Sequence, residues 1–189
     1  MPTGSVVLAK DATVEPLVFE KFDEQDANMR IDGMLDEDVW SKVQSFDNMV
    51  VTNPDTLTDS QLATESRFFY TDKGLYIGVI SQQNPDNLVA RLSSRDKFIK
   101  RDGIEFGLDT SGDGLYGYWF GINLGGTLMD GTMLPERQFS SQWDGPWNAA
   151  TMQTDGGWTA EMFLPWSMMS MPGSTDVRRM GFYLMRMVS

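Results

Sequence analysis

Gly103-Ile-Glu-Phe-Gly-Leu-Asp109 and Leu115-Tyr-Gly-Tyr-Trp-Phe-Gly-Ile-Asn123 read as the two arms of a β-hairpin, joined by the polar turn Thr110-Ser-Gly-Asp-Gly114. Strict alternation puts Ile104, Phe106, Leu108, Tyr116, Tyr118, Phe120 and Ile122 on one face, which predicts a core face. The other face carries Glu105 and Trp119 among Gly103, Gly107, Gly117 and Gly121. Glycine weakens a strand and packs nothing, so a face built from it predicts that something approaches the sheet closely there. An acid, an aromatic and a hollow floor make a ligand platform. A turn confined to Thr110–Gly114 makes Glu105 and Trp119 direct cross-strand neighbours. A sugar would stack its C–H face on the indole and hydrogen-bond its hydroxyls to the carboxylate. Asp102, beside Arg101 at the edge of the alternating run, is expected to cap backbone donors rather than touch ligand.

Outward from this hairpin the chain alternates short apolar runs with turn signals. Ala63–Tyr70 and Leu75–Ser81 flank Asp72-Lys73-Gly74, a second hairpin. Further strands are expected near Thr127–Leu134, Trp147–Thr154, Trp158–Leu164 and Arg178–Val188. Short helices are expected after Asp36 as N-cap, with Trp40 and Val43 inward, at Pro85–Leu92 and at Pro165–Met171. Residues 46–61 read as a loop-rich connection. Residues 1–28 read as an arm with one strand near Val14–Phe19, ahead of a domain over 29–189. Many short strands with one-turn or two-turn helices predict an all-β fold, an antiparallel β-sandwich of jelly-roll type. The last strand runs into Met187-Val188-Ser189, so the natural protein is expected to continue.

The chain has 189 residues, 41% of them hydrophobic, enough for one domain with a sizeable core. A net charge of -12 argues against a nucleic-acid partner and against anionic membranes. The sequence shows no apolar run of about 18 residues and no charged-then-apolar leader, so any export signal has to lie outside it. Cysteine and histidine are absent, which excludes disulfides, thiolate and imidazole ligation, and Ser-His-Asp catalysis within the chain. The 14 methionines suit adaptable core packing.

Taken in order, IDGMLDEDVW at 31–40, GLYIGV at 74–79, SRDKFIKRDGIEFGLD at 94–109, YWFGINLGGTLMDG at 118–131, WDGPWNAA at 143–150 and GWTAEMFLPWSMM at 157–169 resemble carbohydrate-binding module family 9. They are closer still to the family 9-like domain found N-terminal to bacterial outer-membrane barrel proteins. The resemblance implies a non-catalytic, jelly-roll-like sandwich that binds an oligo- or polysaccharide, with calcium supporting its loops. It also implies a periplasmic or cell-surface location in a Gram-negative bacterium, with a membrane barrel domain downstream in the same chain. Family modules hold a sugar between two tryptophans, helped by a glutamate and an arginine. The glutamate falls on Glu105; the first tryptophan falls near Ile99, beside Phe98; the arginine falls on Gly121; the second tryptophan lies beyond Ser189.

Other residues carry alternative chemistry. Trp143 and Trp147, with Asp144 between them, either present aromatics to a sugar or anchor a loop by burial. Asp109, Ser111 and Asp113 offer an oxygen set that suits calcium, or simply form a turn. Asp32, Asp36, Glu37 and Asp38 form a second acidic cluster that helix capping also explains. Glu105 and Glu161 are the pair a glycosidase reading would need. Against the binding module stand a scaffold domain that has lost its sugar site and a haem-binding sandwich using Met129 or Met133 with Lys97 or Lys100. With no histidine, haem is not expected.

Overall fold

The computed structural model describes residues 16–97, 99–173 and 177–189. The strands are β1 (Glu20–Lys21), β2 (Ser45–Phe46), β3 (Thr64–Tyr70), β4 (Gly74–Gln82), β5 (Gly103–Asp109), β6 (Gly117–Asn123), β7 (Leu128–Leu134), β8 (Gln138–Ser140), β9 (Asn148–Thr154), β10 (Gly157–Pro165) and β11 (Gly181–Met187). They form two sheets, one ordered β1-β3-β4-β10-β9 with β2 also on β3, the other ordered β11-β5-β6-β7-β8. The fold is the expected all-β sandwich.

Period-two alternation explains its core. Leu75, Ile77 and Val79 of β4 and Trp158, Ala160, Met162 and Leu164 of β10 point inward from the first sheet. They meet Ile104, Phe106 and Leu108 of β5 and Phe120 and Ile122 of β6. Burying one such side chain contributes roughly 1.5–3 kcal/mol. Trp158 is fully buried here, whereas Trp166 is only partly buried and donates its Nε1–H to the carbonyl of Thr71 at 2.9 Å.

The first sheet is covered on its outer face as well. Ala27, Val39, Trp40 and Val43 pack there on Phe69 and Tyr76, forming a second, smaller core. That layer contains the helix α1 (Glu24–Ala27) and a 3₁₀ turn at Asp38–Ser41. Among the described residues the second sheet has no equivalent helical layer, yet every residue of β5 is buried, so side chains from neighbouring strands cover its outer face.

Several expectations need correction. The strand expected near Val14–Phe19 falls partly outside the described residues, and β1 at Glu20–Lys21 pairs parallel with β3, so the sandwich is not wholly antiparallel. The N-cap of the 38–41 turn is Glu37, not Asp36, and it makes no side-chain cap. The short helices expected at Pro85–Leu92 and Pro165–Met171 are single 3₁₀ turns, at Pro85–Asn87 and Trp166–Met168. Leu115 and Tyr116 lie in the loop, and Tyr116 is 61% exposed instead of core. The strands β2 and β8 carry too few apolar residues to be read from alternation.

Candidate functional site

The outer face of the second sheet differs from the expected platform because the β5–β6 loop runs from Thr110 to Tyr116. Those two extra residues shift the register by one pair of rungs. Glu105 therefore stands opposite Gly121, and Trp119 opposite Gly107. The acid and the indole share a face but are diagonal to each other.

The glycine floor is also filled, and by the protein itself. A Cβ on Gly107 would stand 2.0 Å from the ring of Tyr183, which reaches over from β11. Likewise the methyl groups of Met129, Met133 and Met187 occupy the space above Gly121, Gly117 and Gly103. Trp119 turns its Nε1 edge toward Gly131 and is 2% exposed. The glycines receive neighbouring side chains, and the surface is levelled rather than hollow. Trp119 is a wall of this layer and offers no open ring.

At its centre is Glu105, 8% exposed. The Tyr183 hydroxyl donates to its Oε1 at 2.6 Å. Burial, then this carboxylate, push the Tyr183 phenol far above its ordinary value, so it stays a donor. Met185 is the direct cross-strand neighbour of Glu105 on β11. Arg101 lies close by: burial lowers its guanidinium, the Glu105 charge opposes that shift, and the side chain touches the Met129 sulfur and donates to the carbonyl of Ile99 at 2.7 Å. Tyr183 was not singled out from the sequence, since nothing local tells which strand lies beside β5.

Asp102 caps backbone donors, as its place at the strand edge predicts. Its fully buried carboxylate accepts from the backbone N–H of Val89 at 2.7 Å and of Ser189 at 3.0 Å.

The other sequence candidates are scattered. Phe98 lies outside the described residues. Trp147 is 3% exposed in the main core, and Trp143 is partly buried with its ring 4.9 Å from Tyr118 and 5.9 Å from Phe120. This loop is anchored by its aromatics. Glu105 and Glu161 sit on strands of different sheets, and alternation points both away from the shared core, toward opposite outer faces. They do not share a site. Met129 is fully buried beneath the levelled face, a poor position for a haem ligand.

In the 109–113 turn Asp109 Oδ1 accepts from the N–H of Ser111 and Gly112 and from the Ser111 hydroxyl, and its Oδ2 from the N–H of Gly114. Burial alone would raise this carboxyl, but those donors outweigh it and hold it below the ordinary value. Asp113 makes its contact through its backbone N–H, to the Ser111 hydroxyl at 3.2 Å. Of the oxygens expected to hold calcium, those of Asp109 and Ser111 help close the turn. Among the described residues, the three carboxylates that come together are those of Asp96, Asp130 and Asp144, within 4.8 Å. Arg95 already bridges two of them, to Asp130 Oδ1 at 2.5 Å and Asp144 Oδ1 at 2.9 Å.

Glu161 is fully buried on the opposite side of the sandwich. Its Oε2 accepts from the backbone N–H of Asp32 at 3.0 Å and Gly33 at 2.9 Å, and its Oε1 from Trp40 Nε1 at 3.0 Å. Gly33, at φ +91°, turns both amides onto the carboxylate. Burial pushes the Glu161 carboxyl up to about 7 against those donors. The acidic cluster at Asp32 therefore belongs to a buried lock between the 30–40 segment and β10. A groove of ≈ 440 Å³ opens beside it, lined by Met29, Ile31, Tyr76, Asn148, Ala149 and Phe163.

No protein-family model matches the chain, and no curated protein matches it. Solved structures do. A carbohydrate-binding module family 9 from Caldicellulosiruptor kristjanssonii in complex with cellotriose is 14% identical, with TM-score 0.60 over 88% of this chain and 75% of that one. The complex of such a module from the same organism with glucose is 15% identical, with TM-score 0.56 over 87% and 76%. A candidate carbohydrate-binding protein from Bacteroides uniformis ATCC 8492 is 13% identical, with TM-score 0.60 over 89% and 84%. At such identity the likeness is one of architecture, and the architecture of this chain is that of the family 9 carbohydrate-binding modules.

Proposed function

We propose that the protein is a non-catalytic carbohydrate-binding module, acting in the periplasm or at the cell surface of a Gram-negative bacterium, with its sugar contact centred on Glu105. The observation that carries this reading is the Glu105 carboxylate, oriented by Tyr183 on the outer face of a sheet whose architecture is shared with modules that hold cellotriose and glucose. A carboxylate accepts from vicinal hydroxyls, and the half-buried Tyr183 with Met185 offers an apolar border for C–H groups. Glycoside hydrolysis needs two carboxyl groups about 5–10 Å apart, and Glu105 has no such partner in Glu161. The location and a downstream membrane barrel rest on the resemblance of the sequence. Calorimetry with cellotriose and glucose tests the reading: binding by the native protein and its loss in a Glu105→Gln variant that remains folded support it.

A second reading is a scaffold domain that retains the sandwich without a sugar site. The burial of Trp119 and Trp147, at 2% and 3% exposure, favours it, because both rings are committed to packing. A folded protein that binds no glycan on a broad array would establish this reading.

A further inference from the structure

The chain is strongly acidic, yet Arg91-Leu-Ser-Ser-Arg-Asp-Lys-Phe-Ile-Lys-Arg101 places five of its 15 basic residues in 11 positions with a single acid. This segment is the strap between the first sheet and β5, and its backbone is held along the β6–β7 turn. Asn123 Nδ2 donates to the carbonyl of Arg91 at 3.0 Å, the N–H of Ser93 donates to Thr127 Oγ1 at 3.0 Å, and the N–H of Asp130 donates to Asp96 Oδ1 at 3.0 Å. A side chain on Gly125 would strike the Arg91 backbone at 2.6 Å, so the strap lies flush against the turn.

Its cations divide by role. Arg95 is tied to Asp130 and Asp144, and Arg101 is buried against Met129. Arg91, Lys97 and Lys100 are exposed and have no ion-pair partner among the described residues. The strap ends at Arg101, whose Met129 contact lies over Gly121, the cross-strand partner of Glu105. The three unpaired cations thus belong to the strap whose last residue, Arg101, touches the face proposed for sugar.

We infer that the ligand is an acidic polysaccharide, one carrying uronate carboxylates or sulfates, with Arg91, Lys97 and Lys100 meeting its anions. The inference rests on the sugar-binding reading and specifies the class of sugar. A net charge of -12 does not oppose it at physiological salt, because screening over about 8 Å attenuates remote acids and the nearby Asp130 and Asp144 are already paired with Arg95. Glu105 would still accept from hydroxyls, and its charge disfavours carboxylates placed directly on it, so the anions belong over the strap.

The test compares an oligogalacturonate and a heparin-derived oligosaccharide with neutral cello-oligosaccharides of equal length, in 0.15 M salt. The acidic sugars should bind about tenfold more tightly than the neutral ones, as expected from a few partly exposed ion pairs. That preference should shrink toward 1 M salt, and Lys97→Glu with Lys100→Glu should abolish it at unchanged melting temperature while neutral binding persists. Equal binding of acidic and neutral sugars, untouched by the charge reversal, overturns the inference and leaves the sugar reading standing. Failure to bind any glycan overturns the sugar reading as well. Duplex DNA competing as well as the uronate would show that the strap reads charge alone, which also overturns the inference.

Discussion

The phenolic hydroxyl of Tyr183 reaches Glu105 Oε1 across 2.6 Å while its ring covers Gly107, so one side chain from the last strand both orients the acid and closes the gap beside it. The two functions separate by mutation. Tyr183→Phe keeps the ring and loses the donor, and a hydrogen bond to a charged group contributes about 1.5–3 kcal/mol. We expect a drop in unfolding free energy of that order, together with weaker binding of whatever glycan the native protein takes, read by urea titration and calorimetry. Unchanged stability would mean that water replaces the phenol without cost.

Gly107→Ala tests the levelled face. The new methyl has no room beneath the Tyr183 ring, and overpacking of this kind costs about 1–3 kcal/mol. A matching change at Gly156, where a Cβ meets nothing within 4 Å, should be close to neutral. Thermal melting of both variants against the native protein decides the point.

Glu161 predicts a pH dependence. Its folded-state value, raised to about 7 from an ordinary 4.5, means the folded protein holds the proton more tightly than the unfolded chain. The stability contributed by that proton is complete below about pH 4.5 and is lost as the pH rises through about 7. Urea midpoints should therefore carry a falling component between pH 5 and 8 that Glu161→Gln removes. Glu161→Ala, which leaves the donors of Asp32, Gly33 and Trp40 unpaired, should cost roughly 3 kcal/mol or more.

Asp109→Ala removes the acceptor for the N–H groups of Ser111, Gly112 and Gly114. The melting temperature should fall by the same amount in millimolar calcium and in chelator, because the turn is closed by backbone donors. A loss confined to the calcium samples would restore an ion to this loop.

The alternation in 103–109 and 117–123 was enough to identify the core face of Ile104, Phe106, Phe120 and Ile122, because side-chain direction in a strand is a local property of period two. The turn signal around Asp72 placed its hairpin because a turn is likewise set by neighbouring residues. Tertiary structure decided what lies over the glycines. The side chain above Gly107 comes from Tyr183, 76 positions later in the sequence, and only the order of strands in the sheet brings it there. Loop length likewise escaped local reading: Leu115 and Tyr116 continue the apolar pattern but stay in the loop, which moved Trp119 off the rung of Glu105. The sequence alone determined that Glu105 faces away from the core, and tertiary packing decided how much of it a ligand can reach, because burial is set by neighbours that the chain brings from far away.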